Sequence, residues 1–228
     1  MEIKETFSPI INGSSIEKIK NSDIYKRWKN KVLSNFDVKS ITIHNVFMFG
    51  SRVGFVIVEA DAYLKSTNKK VPGIAFLRGD CVSIMPVIKC NGETYTVLVT
   101  EARVPVGEAN KTALPAGMTD GCSFISTALK ELEEEIGPDF NVNENDMVFM
   151  GNYSVSSGGC DEHMAFYYFE KEVSKEVLEE INGRNSGEKG TCEHIITSVI
   201  KLDDIDKVDG IDMRSMFSYF LWKNRKTN

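Results

Sequence analysis

Leu114–Gly137 reads LPAGMTDGCSFISTALKELEEEIG, and its second half decides how the chain is laid out. Ile125, Ala128, Leu129, Leu132 and Ile136 recur at three- and four-residue spacing, which predicts an amphipathic helix over Ser123–Ile136. Gly137-Pro138 closes it. Glu131, Glu134 and Glu135 are related by i, i+3 and i+4, so they share a helix face. At about 100° per residue, Glu135 lies about 60° and Glu131 about 100° from Leu132, so both flank the apolar stripe. Like charges on a half-buried face are destabilising, and a divalent cation held by hard carboxylate oxygens, as Mg²⁺ is, removes the conflict. A solvated, glutamate-rich helix is the other reading of these residues. Gly117 and Gly121 in the preceding loop favour the cation, because they bring backbone close to the carboxylates.

Working outward, the 228 residues are 42% hydrophobic and 26% charged, proportions of an ordinary globular protein. Lys and Arg number 27 against 33 Asp and Glu, a net charge of −6, which argues against a nucleic-acid partner. The basic run Lys18, Lys20, Lys26, Arg27, Lys29 and Lys31 reads as the solvated face of a helix. Five widely spaced cysteines without a C-x-x-C pair point to reduced thiols rather than a disulfide framework or zinc ribbon. The start of the chain lacks a signal-peptide pattern, and no apolar run is long enough for a membrane helix. A cytoplasmic protein without membrane association is the expectation.

An N-terminal helix is predicted over residues 16–35, then strands at Ser40–Met48, Arg52–Leu64 and Val71–Leu77, with a turn at Ser66–Lys70. Asn91-Gly92 between Cys81–Cys90 and Glu93–Thr100 is a hairpin signal, because both turn positions favour positive φ. Strands at Met147–Val155 and His163–Val173, a helix at Ser174–Ile181, a strand at Glu193–Leu202 and a helix at Ile211–Trp222 complete the chain. The mixture predicts an α/β sandwich, with roughly the first 75 residues forming an accessory or dimerisation unit.

Lys130-Glu131-Leu132-Glu133-Glu134-Glu135-Ile136-Gly137 resembles the second half of the Nudix box, Arg-Glu-aliphatic-any-Glu-Glu-any-Gly, with Lys130 in place of Arg. The first half departs from the box. Cys122 stands at its first Glu, Gly117 falls one residue too close, and Pro138 occupies the last aliphatic position. Further matches follow in order: Met48–Phe55 (MFGSRVGF), Val71–Gly79 (VPGIAFLRG), Arg103-Val104-Pro105, Leu114–Met118 (LPAGM) and Ser157–Glu162 (SGGCDE). From about residue 10 to residue 222 the chain is similar to the plant-type ADP-sugar diphosphatase branch of the Nudix hydrolases, relatives of the ADP-ribose pyrophosphatases.

The resemblance implies an α/β fold, a Nudix α-β-α sandwich with a mixed sheet over residues 76–228. Residues 1–75 would be an N-terminal helix and β-rich dimerisation region. It implies Mg²⁺-dependent hydrolysis of ADP-ribose or ADP-glucose to AMP and a sugar phosphate by a metal-activated water, with Mn²⁺ as an alternative ion. Glu131, Glu135 and the carbonyl of Ala116 would hold metal, with Glu134 shared between metal binding and catalysis. Glu162 would be the base, with Asp161 beside it as the neighbour to distinguish. Arg78, Arg103, Gly117, Met118 and Glu193 would contact substrate. Ala113 replaces a Glu common in the relatives. A homodimer acting on a small nucleotide-sugar is the expected state. UDP-sugars or other nucleoside diphosphates are alternative substrates, and a non-catalytic ADP-ribose-binding module is the alternative role.

Overall fold

The computed structural model describes residues 3–119, 123–137, 140–186 and 194–226. Two units make up the chain: Met1–Asp80 with Ser154–His163, and Cys81–Tyr153 with Met164–Asn228.

In the first unit, β1 (Lys4–Phe7), β2 (Phe36–Phe49), β3 (Arg52–Leu64) and β4 (Lys70–Val71) lie in that order, and β5 (Ile74–Leu77) also pairs with β3. The expected single helix over residues 16–35 is two, α1 (Gly13–Asn21) and α2 (Asp23–Asn35). Ser22 makes the break. Its backbone is extended, its hydroxyl donates to the Ile19 carbonyl at 2.7 Å, and the same oxygen accepts the Tyr25 N–H at 3.3 Å. One serine thus ends α1 and caps α2. Ile19 and Tyr25 pack with Ile41, Ile43, Val56, Val58 and Leu77, the alternate positions of β2, β3 and β5. A Cβ on Gly73 would fall 1.9 Å from the Ala60 carbonyl oxygen, so β3 and the turn before β5 meet closely only with glycine there.

The second unit has an eight-stranded sheet. β6 (Cys81–Cys90) and β7 (Glu93–Arg103) form the expected hairpin, with Asn91 at φ 51° and Gly92 at φ 80°. β8 (Glu108–Ala113) pairs with β7, and β9 (Ala116–Met118) pairs with β6. Beyond α3 (Phe124–Glu135) come β10 (Val148–Ser154), β11 (His163–Glu172), α4 (Lys175–Ile181), β12 (Asn185–Ser186), β13 (Ile195–Lys201) and α5 (Met213–Lys226). The long strands run in the order β10-β11-β6-β7-β13-β12, with β11 parallel to β6 and β7 antiparallel to both neighbours.

Every residue of β6 except Lys89 is buried, because the strand is covered on both faces. Val82, Ile84 and Ile88 point to α3 and α4, where they meet Ala128, Leu132, Ile136, Leu178 and Ile181. Met85 and Val87 point the other way, into a cluster with Leu98, Leu114, Leu202, Ile205 and Tyr219 of α5. The sheet is mixed and lies between helices, an α-β-α sandwich. Among the described residues no helix is long and apolar enough to cross a membrane.

Candidate active site

The site in the second unit begins with β9. This short strand pairs antiparallel with β6, Ala116 opposite Ser83 and Met118 opposite Cys81, while Ile84 N–H donates to the Pro115 carbonyl at 2.8 Å. Ser215 of α5 accepts the Leu114 N–H at 2.8 Å from the other side. Held at both points, Ala116 and Gly117 form a fixed backbone edge.

α3 is placed against that edge by its own sequence. Ser123 caps its start, accepting the Ser126 N–H, and Ala128, Leu132 and Ile136 bury one face. At its end the Arg184 guanidinium donates to the Ile136 carbonyl at 2.7 Å, a cation at the negative pole of the helix. Glu135 is then carried inside, 5% exposed, and accepts the Ala116 N–H at 3.2 Å. Glu131 lies one turn earlier against Gly117. A Cβ on Gly117 would fall 1.9 Å from the Glu131 carboxyl, so a larger residue here would push this carboxylate away from the strand.

Burial pushes the Glu135 carboxyl well above the ordinary range, and the neighbouring charges of Glu131 and Glu101 push it further. The Ala116 N–H and the Arg103 guanidinium oppose that shift. Glu101 escaped the sequence reading. It lies on β7 two residues before Arg103 and pairs with it, so the period-two alternation of a strand is the signal that would have found it. Glu134 turns away from this group and pairs with Lys130 at 3.2 Å. Lys130 stands where the box has arginine.

Among the described residues no three His, Cys, Asp or Glu side chains are already gathered around one point as a metal site. The donor set nevertheless suits a hard cation. Glu135 is a buried carboxyl destabilised by two further carboxylates, beside strand backbone that offers carbonyl oxygen.

Glu162 lies in the first unit, 6% exposed, with its carboxylate 3.2 Å from Nη1 of Arg78. The Arg78 Nε is a buried donor with no hydrogen-bond partner. The loop before Glu162 docks on β5: Phe76 N–H donates to the Gly159 carbonyl at 2.8 Å, and Asp161 N–H to the Phe76 carbonyl at 3.4 Å. Gly158 and Gly159 have open space around them, so the fold itself does not require glycine at either position. Burial raises the Cys160 thiol pKa, which disfavours a nucleophilic thiolate.

Of the residues singled out from sequence, Ala116, Gly117, Glu131 and Glu135 meet in the second unit, and Arg103 joins them through Glu101. Arg78 and Glu162 meet in the first. Met118 continues the β9 ladder, and Glu193 and Cys122 lie outside the described residues. The basic run spans α1 and α2 and is mostly exposed, as a solvated face would be, but three of its α2 members also make long-range contacts. Arg27 pairs with Asp80 and Asp161, Lys29 with Glu5, and Lys31 Nζ lies 3.2 Å from the His163 ring. Those acids are distant in sequence, which is why local charge patterning missed the pairs.

No family model matches the chain. It is 34% identical over 209 residues to Nudix hydrolase 14, chloroplastic, of Arabidopsis thaliana, an alignment covering 83% of this chain and 67% of that protein. Its fold is similar to a crystal structure of an ADP compounds hydrolase, with a TM-score of 0.56 and 15% identity, over 83% of this chain and 93% of the other.

Proposed function

Since the chain belongs to the Nudix hydrolases, enzymes that generally use divalent metals, we propose that it hydrolyses the diphosphate bond of ADP-sugars to AMP and a sugar phosphate. ADP-ribose and ADP-glucose are the substrates in this reading. The observation that carries it is the pair Glu131 and Glu135 packed against the Ala116–Gly117 edge. The kinship to Nudix hydrolase 14 supports the hydrolase class.

Mg²⁺ is the ion of this reading, with Mn²⁺ as substitute. Glu131, Glu135 and the Ala116 carbonyl would hold it, with Glu134 as an additional acid once released from Lys130. Bound there, the ion supplies charge neutralisation at the diphosphate and a lowered pKa for a coordinated water. Glu162 takes the proton of the attacking water as the water oxygen bonds to one phosphorus and the bridging P–O bond breaks. Asp161 suits this role less, because both its oxygens are engaged in protein contacts. Arg78, with an unpartnered Nε, and Arg103 supply guanidinium donors for phosphate oxygens. Gly117 and Met118 offer strand backbone to the substrate, and Glu193 completes the substrate contacts.

The test is release of AMP and sugar phosphate from ADP-ribose, ADP-glucose and UDP-glucose, read with a phosphatase that acts only on the products, in Mg²⁺ and in EDTA. Mg²⁺-dependent turnover of the ADP-sugars is expected. Faster turnover of UDP-glucose would move the base specificity. Binding without turnover in Mg²⁺ would overturn the enzymatic reading. We also read the chain as a homodimer through residues 1–75, with residues 76–228 as the hydrolase domain. Sedimentation at the mass of a single chain would contradict that assembly. The free thiols of Cys81, Cys90 and Cys160 support a reducing compartment, and the cytoplasm is our reading of it; fractionation of tagged protein into an organelle would overturn it.

A further inference from the structure

The loop that carries Glu162 is tied down by one carboxylate. Asp161 Oδ1 accepts the backbone N–H of Arg78 at 2.8 Å and of Gly79 at 3.2 Å. Asp161 Oδ2 accepts from Nη2 of Arg27 on α2 at 3.1 Å, and the other arm of that guanidinium pairs with Asp80. Asp161 therefore joins three segments: the helix, the residues after β5, and the loop. Arg78 is held at its backbone by Asp161 and at its side chain by Glu162, the next residue along.

The anchoring continues beyond Glu162. His163 N–H donates to Asp80 Oδ1 at 3.3 Å, and its ring Nδ1 lies 3.0 Å from the Asp161 carbonyl. The ring Nε2 is 3.2 Å from Lys31 Nζ and 3.1 Å from Ser154 Oγ. Glu162 is thus flanked by two residues whose fixings converge on Asp80 and on the Arg27–Lys31 face of α2. A planar fork that spans two carboxylates is a task for arginine, and lysine can serve one of them at a time.

We propose that Asp161 is the positioning residue for Glu162 and that Arg27, acting through Asp161, is the latch that holds it in register. The proposal rests on Glu162 being the base. A displacement of about 1 Å in a catalytic group can cost about 100-fold in rate. Arg27 would therefore affect turnover without touching the substrate.

The experiment compares Arg27→Gln, Arg27→Lys, Asp161→Asn and Glu162→Gln in Mg²⁺ with ADP-ribose. Lys29→Gln, on the same helix as Arg27 but paired with Glu5 of β1, is the control. Arg27→Gln and Asp161→Asn are expected to lower kcat roughly 10- to 100-fold, with KM within about twofold for Arg27→Gln, the variant that leaves the Arg78 backbone contact in place. Arg27→Lys should recover part of the loss, and Lys29→Gln should match the parent. Glu162→Gln with full turnover would remove the base and this proposal with it. Loss in Glu162→Gln with parental kcat in Arg27→Gln and Asp161→Asn would overturn the positioning role and leave the base standing. A kcat loss matched by a lower melting temperature and not relieved by Arg27→Lys would make the latch a stabilising contact only, and would also overturn the proposal.

Discussion

Glu135→Gln is expected to lower kcat for ADP-sugar hydrolysis about 100- to 1000-fold, the scale seen when one fixed electrostatic group is removed from an active site. The same change should raise the melting temperature of the metal-free protein. Glutamine keeps the shape and can still accept the Ala116 N–H, but carries no charge into a buried site shared with Glu131 and Glu101. The sign with pH follows from the raised pKa. The folded protein keeps a proton on Glu135 at pH values where the unfolded chain, near the ordinary 4.5, has released it. Stability contributed by that proton is full below 4.5 and is lost as pH climbs through the folded-state value. Glu135→Gln deletes this fall. Thermal melts in EDTA across neutral and alkaline pH, beside steady-state rates in Mg²⁺, would check both halves. A variant that melts below the parent at pH 8, or turns over at the parental rate, contradicts the site as drawn.

Glu162→Gln is expected to cost roughly 100- to 10,000-fold in kcat, the range for a general base. Parental kcat in Glu162→Gln would assign the base to another residue. Asp161 does not suit that replacement, as its oxygens already serve Arg27 and the Arg78 and Gly79 amides.

How far the sequence carries this picture differs from element to element. The Asn91-Gly92 hairpin and α3 were readable because their determinants are local: two positive-φ positions, and an apolar stripe with its cap. The break at Ser22 was not, since the apolar spacing runs straight across it and only the serine's two hydrogen bonds distinguish two helices from one. Glu131 and Glu135 are singled out by helix geometry and the box resemblance together. Their closeness to Gly117 and Ala116 respectively needed the β9–β6 pairing, a long-range fact. Arg27 looked like any lysine-rich helix residue, because its partners lie 53 and 134 residues away.

That separation also has a consequence in time. The first unit takes ten of its residues, Ser154–His163, from the far side of the second unit's first strands. Asp161 leaves the ribosome 83 residues after the Arg78 amide it must accept. At about 5–20 residues per second, the N-terminal sheet waits roughly 4–16 seconds before its last edge can be closed. Until then the nascent chain presents β5 with an uncovered hydrogen-bonding edge, and the basic side of α2 stands without Asp161. A chaperone or a premature partner would find the growing protein most open during that interval, and a slow codon stretch between the two segments would lengthen it.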